Sequence, residues 1–310
     1  MRLPTLRHVL LPLFAVLLLS ACHGKDDASQ LGNSTPEAAL QGSIDLLKAG
    51  DLNGLWKHAL PPADYANLRA DWSRQRQDAA PITAEDRAKF TETMQQLTAP
   101  DAENKLYGEL QPKLAAMEQQ YKDQLPVLIS MGEAFVKNGI AQSKTLTDAQ
   151  KAQTGNVLDV LTPWAQQTPW FDQVRAKQAI GVAVATARKL DLKSPDQLRS
   201  MDFDTAMASY STGFAGAKQL LAIYGLSVDD TLNSVKLTPL SNSNGHAVVK
   251  IDYTLLGKPL STESTLVQEN GHWYSEDMLN NVRKSHQQLS QPPAGGASAP
   301  AVAGTAPSKD

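Results

Sequence analysis

The chain predicts an α+β protein, with a large, mostly helical body followed by a C-terminal antiparallel β-meander of three to four strands. From Thr35 to about Tyr224, apolar residues recur at spacings of three and four, the mark of helices with one buried face. Near Asp229 the period drops to two, and the turn dipeptides Asn244-Gly245, Gly257-Lys258 and Asn270-Gly271 appear. Hydrophobic residues make up 42% of 310 and charged residues 20%, a balance that builds a core and separates the chain from disordered polymers and polytopic membrane proteins.

In chain order, the first element is a leader. Arg2 and Arg7 precede an apolar run from Val9 to Leu19, too short at ~1.5 Å per residue to span ~30 Å of hydrocarbon, so residues 1–21 read as a signal peptide. Its end, Leu19-Ser20-Ala21-Cys22, resembles the lipobox of bacterial lipoproteins, and Cys22 is the only cysteine of the chain. The resemblance implies cleavage before Cys22, a diacylglycerol on its sulfur and an acyl group on its new amino terminus. His23 rather than Asp follows, which in that family implies the outer membrane, at its periplasmic face. Residues 22–34 are then the lipidated cysteine and a flexible polar tether.

The helical body covers 35–230. Thr35 as N-cap, Pro36 at the first helical position and Glu37 in the first turn start a helix whose buried stripe is Ala39, Leu40, Ile44 and Leu47 and whose end is Gly50. A short helix over 52–60 stops at Pro61-Pro62. Further helices are expected over 85–98, 101–120, 126–141, 148–161, 172–190 and 202–224, with a loop between Pro163 and Pro169. Gly213 and Gly216 in the last of these suggest a close helix–helix contact, because no strand precedes them to form a phosphate loop.

The sheet is expected within 231–288, as strands over 233–241, 246–256, 259–269 and 272–275. Ala247, Val249, Ile251, Tyr253 and Leu255 alternate onto one face, joined by Val235, Leu237, Leu266 and Trp273. A three-residue loop Ser243-Asn244-Gly245 sets Leu237 opposite Ile251 and Pro239 opposite Val249. About 45 residues of sheet are too few to hide such a face alone, and the helix over 203–224, with Phe214, Leu221 and Tyr224, is expected to cover it. Residues 289–310, rich in Pro, Ala and Gly, are expected to be a disordered tail.

The segments Thr35-Pro36-Glu37-Ala38-Ala39-Leu40 and Leu46-Leu47-Lys48-Ala49-Gly50-Asp51 resemble the first helix of NTF2-like lipoproteins. At the other end, Ala247-Val248-Val249-Lys250-Ile251-Asp252-Tyr253 and Gly271-His272-Trp273-Tyr274 resemble their terminal hairpins. The likeness covers about 90 residues at the two ends. The roughly 150 helical residues between Pro61 and Asp230 depart from that family, whose domains are smaller and enclose a cone-shaped pocket.

Chemistry is sparsely marked. A formal charge of −3, with no stripe of Lys and Arg among aromatics, argues against nucleic acid as a partner. A single cysteine excludes an intramolecular disulfide and Cys-rich metal sites. Gly-x-Ser-x-Gly and His-Glu-x-x-His are missing, and no cofactor is implied. His58 reads as a satisfied helix-end histidine and His286 as a solvated one. Two-residue turns at Gly257-Lys258 and Asn270-Gly271 would bring His246, Glu269 and His272 into one transverse row, either a divalent-metal site or an exposed polar row; the same register sets Asp252 against Glu263, an unfavourable pair. Trp164, Trp170 and Phe171 cluster around Pro163 and Pro169, as a partner or ligand anchor or as rings that staple a loop to the body. The function expected is that of a non-catalytic, outer-membrane-anchored periplasmic lipoprotein, held to the membrane by its lipid and acting as a protein-interaction or envelope-assembly factor. The alternative is a small-molecule or lipid binder with an apolar NTF2-like cavity between helices and sheet. An enclosed cavity of several hundred Å³ would favour the second, a filled core with an exposed apolar patch the first.

Overall fold

A computed structural model of the chain describes residues 33–77, 81–144 and 146–290. Among these, eleven helices precede a four-stranded antiparallel sheet and a twelfth follows it, an α+β arrangement. Cys22, the expected signal peptide and most of the expected tether and tail lie outside the described residues.

Local signals start and stop the first helices. Helix α1 (Pro36–Ala49) is capped by the Thr35 hydroxyl, which accepts from the Ala38 N–H, and ends at Gly50, whose φ of 72° lets its N–H reach back to the Leu46 and Leu47 carbonyls. Asp51 caps α2 (Leu52–Ala59) through the Gly54 N–H at 2.8 Å. Pro61 separates it from α3 (Pro62–Gln77). Then come α4 (Ala84–Thr98), α5 (Ala102–Tyr121), α6 (Leu125–Gln142), α7 (Asp148–Gln167) and α8 (Gln173–Leu190). Thr147 and Gln150 form a reciprocal capping box at the head of α7.

Helices α5 to α8 form a long antiparallel hairpin in which α7 folds back on α6 and α8 on α5. Near its tip, Lys137 of α6 bonds Asp159 of α7 at 2.6 Å, and Gln166 donates to the Ser130 hydroxyl at 2.9 Å. Toward its base, Gln111 of α5 meets Gln173 of α8 at 3.1 Å, and Arg188 donates to the Ala99 carbonyl at 2.7 Å. The expected break at Pro163 does not occur, since α7 runs through that proline to Gln167. Proline removes one ladder hydrogen bond, but Val157, Val160 and Leu161 pack on the sheet before it and Trp164 is anchored after it. Helix α9 (Pro195–Ser200) occupies an expected break. Helix α10 (Phe203–Ile223) crosses α8 where a Cβ at Gly216 would lie 2.4 Å from the Thr186 hydroxyl, so the expected small-residue contact is made by Gly216, while Gly213 faces open space. Helix α11 (Val228–Asn233) leads into the sheet.

Strands β1 (Lys236–Ser243), β2 (His246–Leu255), β3 (Lys258–Glu269) and β4 (His272–Ser275) pair in sequence order. Leu237 does face Ile251 and Pro239 does face Val249, but the loop between them has two residues rather than three. Asn244 and Gly245 both have positive φ, Ser243 pairs with His246, and the missing residue is restored by a bulge at Leu240. The second turn is Leu256-Gly257, not Gly257-Lys258. Leu255 therefore pairs with Lys258, and the β2–β3 register differs from the expected one by two. Charge explains the choice: Lys250 now stands opposite Glu263, and Asp252 opposite Ser261. A shift of two keeps every side chain on its face, so the buried face is the expected one.

Three apolar clusters make the core. Ile44 and Leu47 of α1 pack with Leu52 and Leu55 of α2, Phe203, Ala206 and Met207 of α10, and Leu232. Ala39 and Leu40, one turn earlier on α1, sit with Val157, Val160 and Leu161 of α7 on the sheet face of Ala247, Val249, Ile251, Tyr253, Leu255, Leu266 and Trp273. The cover of the sheet is thus α1 and α7, not the helix over 203–224, whose Phe203 and Phe214 belong to the first cluster. Residues 276–290, expected partly as sheet and partly as tail, form α12 (Glu276–Ser290). Its Leu279 is buried against Leu60 and Tyr274, with Met278 and Val282 beside it.

Candidate functional site

The aromatic group is a brace. Trp164 lies on α7, where its indole N–H donates to the Tyr224 carbonyl at 2.9 Å, and Trp170 donates to the Ala165 carbonyl at 2.7 Å. The two indoles meet edge-on at 5.5 Å, and Trp170 lies 5.1 Å from the Tyr224 ring. Arg175 donates to the Ile223 carbonyl beside them. The bonds to Tyr224 and Ile223 occupy carbonyls that the end of α10 leaves without helical partners, and that to Ala165 occupies one in the last turn of α7. Phe171 is half-buried in the same turn. The rings lock two chain reversals together.

The row of His246, Glu269 and His272 does not assemble. Glu269 faces His272 as expected, but the β2–β3 register puts Val267 opposite His246, which is exposed. The Glu269 carboxylate is engaged elsewhere, by the Arg283 guanidinium of α12 through two bonds of 2.8 Å. His272 Nδ1 is buried without a hydrogen-bond partner among the described residues. No three His, Cys, Asp or Glu among the described residues are grouped to hold a metal ion.

Arg283 is the centre of a polar clamp. It also binds Asp64 of α3, itself buried, at 2.8 Å, and these two carboxylates hold the guanidinium more firmly protonated than usual. One turn on, His286 is not solvated as expected, because its Nδ1 lies 2.7 Å from the buried Asp71 carboxylate, which Arg74 also meets. Through the Arg283–Asp64 and His286–Asp71 pairs the geometry fastens α12 to α3. His58 is satisfied as expected: its Nε2–H donates to the Ala39 carbonyl at 2.9 Å, and burial pushes its pKa down, partly offset by that bond.

A cleft of about 360 Å³, open to solvent, lies between α11 and the β2–β3 turn, lined by Ser227, Asp230, Thr231, Ser234 and Thr254 together with Leu226, Leu255, Leu256 and two glycines. The Ser227 hydroxyl caps α11, and Ser234 serves the Thr231 carbonyl and the Thr254 N–H. Between α1, α2 and the sheet, the gap beside Ala39, Leu40, Leu266 and Trp273 is about 20 Å³, room for about one water.

The feature that sequence reasoning missed is on α6. Leu125, Ile129 and Ile140 are half-buried on the side toward α7, together with Glu133. At 100° per residue, Val127, Leu128, Met131 and Phe135 fall on the side away from α7. They are exposed by 60%, 49%, 66% and 79%; Val136, exposed by 45%, falls within about 20° of Ile129, on the flank toward α7. The only charged residues of α6, Glu133 and Lys137, pair with each other at 2.7 Å, and Lys137 also pairs with Asp159, so the stripe carries no charge. A signal was present: large apolar residues surround α6, more than one neighbouring helix can bury. Yet no helix among the described residues is long and apolar enough to cross a membrane. Comparison with family models, curated proteins and solved structures finds no match to this chain.

Proposed function

We propose that the chain is a non-catalytic bacterial lipoprotein, anchored through Cys22 to the outer membrane and facing the periplasm, that acts by binding a protein partner in envelope assembly. The observation that carries the binding role is the uncovered, charge-free stripe Val127, Leu128, Met131 and Phe135. Contiguous apolar surface of this kind on a soluble domain marks an interaction site, whereas scattered single residues do not. The anchoring rests on Leu19-Ser20-Ala21-Cys22 and His23, and acyl chains at ~0.8 kcal/mol per buried methylene would hold the protein at the membrane. The alternative, an apolar cavity between helices and sheet, draws little support from a 20 Å³ gap at that interface.

Two measurements test this reading in Gram-negative cells producing the full-length chain. Labelled fatty acid should attach to the protein and disappear with Cys22→Ser; undiminished label on that variant removes the anchor. A photo-reactive residue in place of Met131 should capture a protein, and Phe135→Glu should reduce that capture several-fold. Capture of nothing, or capture indifferent to Phe135→Glu, removes the binding role.

A further inference from the structure

The α6 stripe has a shape that narrows its partner. Val127, Met131 and Phe135 form an i, i+4 ridge, the row that packs into the grooves of a facing helix at about −50°. Beside it runs the row Leu128, Gly132, Val136, and at Gly132 a Cβ would meet nothing within 4 Å, so this row has an open notch at its middle. A ridge with a knob at its centre, next to a row with a notch at its centre, is complementary to itself. An antiparallel two-fold axis between Met131 and Gly132 sets Met131 of each copy into the Gly132 notch of the other. It also sets Leu128 against Phe135, an apolar contact made twice, as an isologous interface requires, while Val127 and Val136, about 180° apart on the helix, lie at its two flanks.

Area agrees with this arrangement. At ordinary side-chain areas of about 150–220 Å², the exposures of Leu128, Met131 and Phe135 leave roughly 390 Å² open at the centre of this face, and Val127 and Val136 up to roughly 160 Å² more at its flanks. A standard interface buries about 800 Å² per partner, of which about 60% is apolar. Other occupants fit less well. An interfacial membrane helix carries cations on its polar face, whereas the one cation of α6 is tied to two carboxylates and the chain has an acidic excess. A convex helix ridge also encloses no small molecule.

We infer that the partner of the stripe is a second copy of this chain, joined through α6 as an antiparallel, two-fold helix pair; the inference rests on reading the stripe as a protein-binding surface.

The test uses the mature chain from position 22 carrying Cys22→Ser, so that acyl chains and the native thiol are absent. Sedimentation should show a reversible monomer–dimer equilibrium at ~1–50 µM. Phe135→Glu and Gly132→Leu should each raise its dissociation constant about tenfold or more while leaving the circular dichroism and melting temperature unreduced. Gly132→Leu is informative because leucine favours a helix and the site is open, so lost association cannot be assigned to unfolding. In single-cysteine chains, Leu128→Cys and Phe135→Cys should cross-link when mixed and not separately, since seven residues of offset exceed disulfide reach. A chain monomeric at about ten times that range, a dimer that survives both substitutions, or cross-linking of Leu128→Cys with itself overturns the inference. If the chain is monomeric while the Met131 photo-probe still captures a different protein in a Phe135-dependent way, the second copy falls and the proposed function stands. If the probe captures nothing, both fall.

Discussion

Ile251→Ala is the sharpest probe of how the sheet is joined to the helices. Ile251 is 0% exposed, sits at the centre of β2, faces Leu237 across one strand pair, and packs in the cluster that includes Ala39 and Leu40 of α1. The substitution removes three carbon groups, about 2.4 kcal/mol of transfer free energy at ~0.8 each. It also leaves a void of roughly 80 Å³, which at ~24 cal/mol per Å³ adds about 2 kcal/mol before relaxation. A loss of about 3–4 kcal/mol is expected, near 10 °C in melting temperature for a chain of this size. Because the other wall of that cluster belongs to α1 and α7, the loss should appear in the whole molecule. Urea unfolding followed by far-ultraviolet circular dichroism, which reports the helices, and by tryptophan fluorescence, which includes Trp273 in the cluster, should give coincident transitions, both shifted. A fluorescence transition that moves alone while the helical signal keeps its midpoint would refute the shared core. So would a loss below about 1 kcal/mol.

Three further substitutions examine other joints. Gly216→Ala gains about 1 kcal/mol of helix propensity but drives a Cβ to within 2.4 Å of the stiff Thr186 side chain, so a net loss of about 1 kcal/mol is expected, changing sign in a Thr186→Ala background; additivity of the two would contradict the contact. Arg283→Met leaves the buried Asp64 carboxylate without its guanidinium and should cost about 2 kcal/mol by chemical denaturation, with Glu269→Gln costing less; equal effects would show that Asp64 is not the dependent partner. Asp45 has its pKa raised from 3.8 to about 6, chiefly by burial, with Lys48 opposing. Its contribution is therefore fully present below pH 3.8 and lost as pH rises through about 6. Asp45→Asn should accordingly stabilise the protein above pH 6, by under about 1 kcal/mol because the carboxyl is partly solvated, and not below pH 3.8. Melting curves that show the gain only at low pH would reverse the assignment.

What the sequence determined by itself is what neighbours along the chain decide. Thr35, Gly50 and Asp51 set helix ends because their partners lie within four residues, and Asn270-Gly271 makes its turn because both residues tolerate positive φ. The buried face of β2 was equally legible, since alternation survives the shift of two that the β2–β3 pairing actually took. The candidate site was hardly legible. Leu256 occupies a left-handed turn position that its type disfavours, and it does so because the register it permits sets Lys250 opposite Glu263, a pairing between strands. The bulge at Leu240, the choice of α1 and α7 to cover the sheet, and the clamp of Arg283 on Asp64 join residues up to 219 positions apart. The stripe on α6 belongs with these. Its composition is written in the chain, but whether Val127, Met131 and Phe135 are covered depends on which helices reach them, and α7 reaches only the opposite side.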